Sequence, residues 1–514
     1  MFKFKSLTLA CAAAVSTLAA GYAAAQDAPG ACANAAVAEI NLTGASATQN
    51  ILGNIFTNLL DAGFTTVFSK AVGSVAAGTD YRAYCGTLKV AVGTLPVGTT
   101  VRFVNRAKGG SLWGVNPVAR NTPIATLSFA TADCVAQATP NLYHCAEVGD
   151  DLNGANPANR APDFGISDLE PQVFGISVNL ADAPTAVSTA LTSAELLKLD
   201  IRRGFAPIFG VVATDTIANF GFTRANIGQI LTGQASRWNT LGGAGTTTAS
   251  NDRIVVIRRE PGSGTQAASN QYFLDQPCAR GNVAQSVTLT PNRQTAFNGG
   301  GAGTEGDPRI INPTVGVGPL VIEASTSGEV RNALIAARDG VNFKFQAPSG
   351  IWFQVNFAGN TWGAIAVLGI ENQNNAVGIG TAAGAKASFR AINGQPAGGF
   401  GTGDQGAKPA RDAAQVAAYD FVFENSFQTN KDNEADATFQ QVKLPFINGF
   451  IALAQQETTL RSLSNANETA VLAIPGLAGN TTTAAVPTAL DTANAGTARW
   501  TKSANTCAPF RSTR

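Results

Sequence analysis

The chain has 514 residues, 45% of them hydrophobic and 13% charged, with 35 lysines and arginines against 34 acids and a formal net charge of +1. This composition excludes a chain disordered throughout and provides no overall field to draw in nucleic acid or anionic lipid, so any anion must be captured locally. At roughly 150 residues per domain, the length suggests two to four domains.

The N-terminus, MFKFKSLTLACAAAVSTLAAGYAAAQ, sets Lys3 and Lys5 before an apolar stretch that ends at Ala23-Ala24-Ala25. That is the pattern of a secretory signal peptide, and cleavage after Ala25 is expected; a retained anchor is the plain alternative. No later run reaches the ~18 uninterrupted apolar residues of a membrane helix, so a soluble, exported protein in the periplasm or medium is expected. Of the seven cysteines, loss of Cys11 with the leader would leave Cys32, Cys85, Cys134, Cys145, Cys278 and Cys507. An even set suits disulfides in an oxidising compartment. Cys134 and Cys145, separated by a Pro-Asn turn signal, are the expected pair, and the other pairings stay open. His144 is the only histidine and no paired C-x-x-C occurs, so neither a metal site nor a cofactor is expected.

In chain order, Ala36 to Leu42 reads as a strand, TGASA as a turn, and TQNILGNIFTNLLDAG as a helix with Ile51, Ile55 and Leu59 on one face and Gly63 as its stop. KVAVGTL and TVRFVNRA read as further strands, the second leading into KGGSLWGVNPVAR, where a Gly-Ser turn opens a helix limited by Pro117. DFGISDLEP lies at a strand end, Phe205 to Asp215 is a strongly apolar strand, and TRANIGQILTGQASRWNTLGG is a helix followed by a turn. RIVVIRR then reads as a buried strand and TQAASNQYFL as its helix. Strands alternating with helices predict an α/β fold with mixed, mostly parallel sheets. The glycine-rich passages 242–248, 298–307 and 398–406 are expected to be loops.

The candidate chemistry is at VVIRREPGSGTQ. A helix N-terminus leaves its first amides unpaired, so the turn Ser263-Gly264-Thr265 can present backbone and hydroxyl donors to an oxyanion, and Arg259 adds a planar fork. Such a corner alone is weak, since α/β chains contain many. Two more corners share its small, hydroxyl-rich composition: Thr43 to Thr48, and Gly109-Gly110-Ser111. Thr48 and Ser111 would serve equally well as plain helix N-caps.

The motifs LTGASAT, GGS, DFGISD, LTGQASRWN and RREPGSGT, in this order, resemble the periplasmic phosphate-binding proteins of ABC importers. GAIAVLGIENQNNAV and FRAINGQPAG extend the resemblance over most of the chain. It implies a two-lobed fold with a hinge, the first lobe formed by 26–203 and 394–514 and the second by 204–393. It further implies a monomer that captures inorganic phosphate and passes it to an inner-membrane ABC permease. Carried over by motif, Thr48 and Ser111 would donate from the first lobe, and Arg259, Ser263, Gly264 and Thr265 from the second. Asp168 would accept a hydrogen bond from the oxygen that phosphate still keeps protonated near neutral pH. Sulfate carries none, so this carboxylate would reject it.

The sequence departs from the family at Gln49, where an aromatic residue is usual, and at Leu112-Trp113. It also carries additional segments before Ser111, between Ser111 and Asp168, and after Thr265. A secreted or surface phosphate binder without an importer, and a binder of another oxyanion such as arsenate, remain alternatives. A hydrolase using Ser263 as nucleophile needs a base, and His144 is far away in sequence; no enzyme activity is expected.

Overall fold

The computed structural model describes residues 29–33, 38–71, 75–181, 185–218, 221–241, 251–278, 286, 298–316, 318–347, 349–373, 378–380, 384–395, 408–437, 439–463, 470–482, 494, 496–503 and 505–512. The leader, and the glycine-rich passages at 242–248 and 398–406, lie outside them.

The first lobe is built on nine strands. In chain order they are β1 (Ala38–Gly44), β2 (Thr65–Lys70), β3 (Ala77–Thr87), β4 (Thr100–Arg106), β5 (Cys134–Ala136), β6 (Leu142–Cys145), β7 (Phe164–Ser167) and β8 (Leu199–Arg203). The chain then leaves for the second lobe, whose sheet contains β9 (Phe209–Thr214), β10 (Asn251–Arg259), β11 (Leu320–Ala324), β12 (Trp362–Gly369) and β13 (Ala387–Arg390). It returns as β14 (Ser426–Asn430). The sheet orders are β8-β14-β7-β1-β4-β3-β2-β6-β5 and β11-β10-β12-β9-β13.

Parallel pairing is concentrated where β1 lies between β4 and β7, and where β10 lies between β11 and β12. Of the flanking ladders in the first sheet, β2-β6 is parallel, whereas β2-β3, β3-β4, β5-β6, β7-β14 and β8-β14 are antiparallel. The sheets are therefore mixed as expected, but the added hairpins make the first one predominantly antiparallel. Tight hairpins can only join antiparallel strands.

Three helices bear on the site. α1 (Gln49–Thr57) buries Ile51, Leu52, Ile55 and Phe56 at helical spacing. α2 (Gly264–Leu274) starts at Ser263, whose hydroxyl accepts from Gln266 N, and ends at Asp275 in the left-handed region at φ 55°. α3 (Ser327–Asp339) is capped by Thr326, whose hydroxyl accepts from Glu329 N. The first lobe's core is rich in phenylalanine, with Phe56 stacked on Phe103 at 4.5 Å. The strand expected over Phe205 to Asp215 is broken: Phe205–Pro207 pairs with Val471–Ala473, and β9 begins at Phe209. Pro207 offers no amide to a continuous ladder.

The two crossings run side by side. Asn425 N donates to Phe205 O, Phe205 N donates to Asn425 Oδ1 at 2.8 Å, and Gly204 N donates to Asn425 O. The first sheet is re-entered at Ser426, whereas the sequence pattern places the return near Asn393. Disulfides join Cys134 to Cys145, as expected, Cys32 to Cys85, and Cys278 to Cys507. The last links the segment after α2 to the C-terminal tail, whose Thr506 N donates to Glu170 Oε1. Among the described residues no helix is long and apolar enough to cross a membrane.

Candidate functional site

Parallel β1 and β7 end at the seam between the lobes. Close backbone contact positions the 3-10 turn Ser111–Gly114 directly on them: a methyl group at Gly165 would fall 1.8 Å from Gly114 O. Only glycine permits that approach. The turn thereby brings Ser111 to the residue that follows β7, and Asp168 N donates to Ser111 Oγ at 3.0 Å.

The N-terminus of α2 meets this pair from the second lobe. A methyl group at Gly264 would fall 2.1 Å from Ser111 Oγ and 2.6 Å from Asp168 Oδ2. The next residue, Thr265, has its hydroxyl buried without a hydrogen-bond partner among the described residues, and so does Asp168 Oδ1. Buried polar atoms are nearly always paired, so two orphans at one seam stand out. Burial pushes Asp168 up to about 7, while the Arg259 charge and the nearby Ser111 and Thr265 hydroxyls pull it back in part. The Thr265 hydroxyl acts through proximity and does not reach hydrogen-bond geometry.

Arg259, at the end of β10, is 1% exposed and bridges the lobes. Its Nη1 donates to Ser46 Oγ at 2.5 Å, its Nε to Ala324 O at 3.1 Å, and its Nη2 to Ser325 O. Nη2 would also lie 3.2 Å from a methyl group at Gly110. Burial depresses the guanidinium, offset by Glu260 and then Asp168. Leu112 N donates to Gly262 O at 2.8 Å, closing the seam through the backbone.

Ser111, Asp168, Arg259, Ser263, Gly264 and Thr265 are thus gathered at one place. Ser263 serves as the cap of α2, its hydroxyl accepting from Gln266 N at 3.4 Å, and its Cα would lie 2.8 Å from a methyl group at Gly110. Thr48 is carried by the same turn as Ser46 and is fully buried, but its hydroxyl donates back to Ala45 O at 3.1 Å. No side-chain hydrogen bond joins it to the other six among the described residues. Its neighbour Gln49 has Nε2 buried without a partner, a donor that the sequence pattern does not suggest.

Sequence reasoning also misses a whole corner. Ser327 Oγ lies 3.2 Å from Ser46 Oγ, and Thr326 Oγ1 lies 2.7 Å from Thr79 Oγ1, so the start of α3 meets the first lobe beside α2. The readable signal is Thr326 to Glu329, a T-x-x-E helix start. His144, on β6, is bonded through Nδ1 to Val75 O at 2.7 Å. No group of three or more His, Cys, Asp or Glu among the described residues is placed to hold a metal ion.

No protein-family model and no curated protein matches the chain. Among solved structures it is similar to an ancestral soluble variant of the human phosphate binding protein, at 14% identity over 90% of this chain and 99% of that chain, with a TM-score of 0.39. It is also similar to a phosphate binding protein from Stenotrophomonas maltophilia, at 14% identity over 84% and 92%, TM-score 0.37. A third is PstS from Borrelia burgdorferi, at 12% identity over 85% and 99%, TM-score 0.32. The overlays are loose, and the site rests on the contacts described above.

Proposed function

We propose that the protein is a solute-binding protein that captures inorganic phosphate between its two lobes. The observation that carries this reading is the convergence of Ser111, Asp168, Arg259 and the start of α2 on one buried seam, with Asp168 Oδ1 and Thr265 Oγ1 left without partners. A tetrahedral oxyanion supplies what both atoms lack: oxygens to accept from Thr265, Ser111 and the α2 amides, and a proton for Asp168. Among the described residues Arg259 is the one cation whose charge acts on Asp168, and the α2 N-terminus adds a partial positive charge. Each charge-assisted hydrogen bond contributes about 1.5 to 3 kcal/mol, so a few suffice for micromolar binding near −8 kcal/mol after ordering costs.

The lobes divide at the paired segments Gly204–Ile208 and Val422–Asn425 and rotate about them when the anion bridges both sides. Binding breaks no covalent bond, and Ser263 acts as donor and cap rather than nucleophile. The three disulfides suit an oxidising compartment, in keeping with export and with delivery of the captured anion to an inner-membrane permease. Fractionating cells into periplasm and medium separates that role from a secreted binder.

The central test is calorimetric titration of phosphate-stripped protein. At pH 8.5, above the value of about 7 to which burial raises Asp168, phosphate is expected to bind and sulfate not to, because sulfate oxygens and the ionised Asp168 carboxylate would be acceptors facing each other in a dry site. Asp168→Asn is expected to narrow that preference by at least about tenfold, which is ~1.4 kcal/mol. Equal binding of the two anions by the parent protein would overturn the reading.

A further inference from the structure

A cavity of about 330 Å³ adjoins the cradle. Its wall includes Glu260, which follows Arg259, Ser325, whose carbonyl holds Arg259, and Trp113, two residues beyond Ser111. Arg259 itself does not line the cavity: it lies directly behind the part of the wall formed by Glu260 and Ser325, and the charges of Glu260, Asp168, Glu329 and Asp80 all act on it. A volume of this size belongs to the range of small organic ligands and exceeds what a bare anion needs.

The chemistry of the wall is one-sided. Its two bases are already engaged, Arg106 with Asp151 at 2.7 Å and Lys108 with Glu147 at 2.8 Å. Trp113's ring is covered by the Arg106 guanidinium at 3.9 Å. That leaves Asp80 and Asp150 from the first lobe, the latter accepting from Leu152 N at 2.8 Å, and Glu260 and Glu329 from the second. Glu329 Oε2 accepts from Ser325 N at 2.6 Å, but the carboxyls of Asp80 and Glu260 have no hydrogen bond or ion pair among the described residues. Glu260 is only 7% exposed. Burial, then the charge of Glu329, pushes Asp80 up to about 7, and burial pushes Glu260 up to about 8. Asp80 is half-buried and Glu260 buried, and the charges of Lys108 on Asp80 and of Arg259 on Glu260 offset this only in part. A carboxyl so placed relieves itself by holding a proton, unless a further cation arrives.

The carboxyls are too dispersed to hold a metal ion. An ammonium group, with three donors and a longer reach, suits such a spread. The segments that exceed the family pattern enclose this space: the one between Ser111 and Asp168 contributes Glu147 and Asp151, and the one after Thr265 contributes Gln346 and Trp352.

We propose that this cavity is a second subsite, reached past Arg259 from the oxyanion cradle, that holds an ammonium group joined by a short carbon chain to the bound anion. The protein then takes a phosphomonoester bearing an amine more tightly than one bearing hydroxyls. This rests on the phosphate reading of the cradle. Its test is calorimetric titration of the phosphate-stripped protein with inorganic phosphate, O-phosphoethanolamine and glycerol 3-phosphate. O-Phosphoethanolamine is expected to bind about tenfold or more tighter than glycerol 3-phosphate. Asp80→Asn and Glu260→Gln, each checked for folding by thermal unfolding and either sufficient alone, bring that ratio to about one. Equal binding of the two esters by the parent protein, or a ratio unchanged in both variants, overturns the subsite. Binding of inorganic phosphate with neither ester overturns it while leaving the cradle standing, and binding of none of the three overturns both.

Discussion

The cradle and the cavity beside it lie on the same seam, and carboxyls of both act on Arg259, yet they are built in opposite ways. In the cradle, the backbone of Gly264 meets the Ser111 and Asp168 side chains so closely that it has no space for a methyl group, and the Asp168 carboxyl has hydroxyls beside it. In the cavity, six carboxyls line an open volume and its two bases are paired with two of them, Arg106 with Asp151 and Lys108 with Glu147. The difference teaches that burial alone does not decide what a carboxyl does. One acid among donors reads a proton on a ligand, whereas several acids without donors create a demand for positive charge.

The sharpest way to break the comparison is to remove the cation that lies beside both spaces. Arg259→Ala takes that cation from the cradle and removes its hydrogen bonds to Ser46 Oγ, Ala324 O and Ser325 O, although Ala324 O keeps Glu260 N and Ser46 Oγ keeps Ser327 Oγ. Losing one partner of a buried, charged hydrogen-bond set costs about 2 to 5 kcal/mol, so phosphate affinity is expected to fall about 100-fold or more by calorimetry. An affinity within a few-fold of the parent would show that the cradle is elsewhere. Gly264→Ala tests the tight side only. Its methyl group must displace Ser111 or Asp168 or part the lobes, and a loss of roughly 10-fold in phosphate affinity is expected, since a shifted or lost hydrogen bond costs about 1 to 3 kcal/mol. The helix itself tolerates alanine there, so a parent-like affinity would mean that the close approach is not required.

The smallest expected effect is on pH dependence, and it involves both sides. Asp168 and Asp80 are raised to about 7 and Glu260 to about 8. Each holds its proton more tightly in the folded chain than in the unfolded one. Their stabilisation is complete below about pH 4 and is lost as pH rises through 7 and 8. In phosphate-free buffer the melting temperature is expected to fall by roughly 5 to 10 °C between pH 5 and pH 8.5. Phosphate should recover part of that fall by binding the folded form. A melting temperature that rises over the same interval would contradict the buried, unpaired state of these acids.

Local structure was legible wherever one stretch of chain carries its own signal. The buried run of β10, the Ser263 cap of α2 and the turn after β7 are all readable from residue order, and so is the Cys134 to Cys145 pair. Contacts between distant stretches were not. Ser46 looks like one more small turn residue until Arg259 reaches it from the other lobe. Thr326 and Thr79 are far apart in sequence and unremarkable alone. Asn425 sits in an aromatic stretch with no periodic pattern, yet it ties the two crossings together through backbone and side chain. The break at Pro207 was written in the sequence but masked by the apolar residues around it. Thr48, the first residue of the donor pattern, turns its hydroxyl to its own backbone, which a motif cannot reveal.

The bond between Cys278 and Cys507 spans 229 positions of chain and anchors the second lobe to a tail that grips Glu170 on the first. It acts as a strap across the spine of a book. In the proposed swing of the halves about their crossings, the strap would let them part no farther than the tail has slack, so the mouth would widen chiefly on the side away from it. Cutting it with a reductant would remove that limit and leave only hydrogen bonds such as Arg259 to Ser46 and Thr79 to Thr326 to hold the pages together.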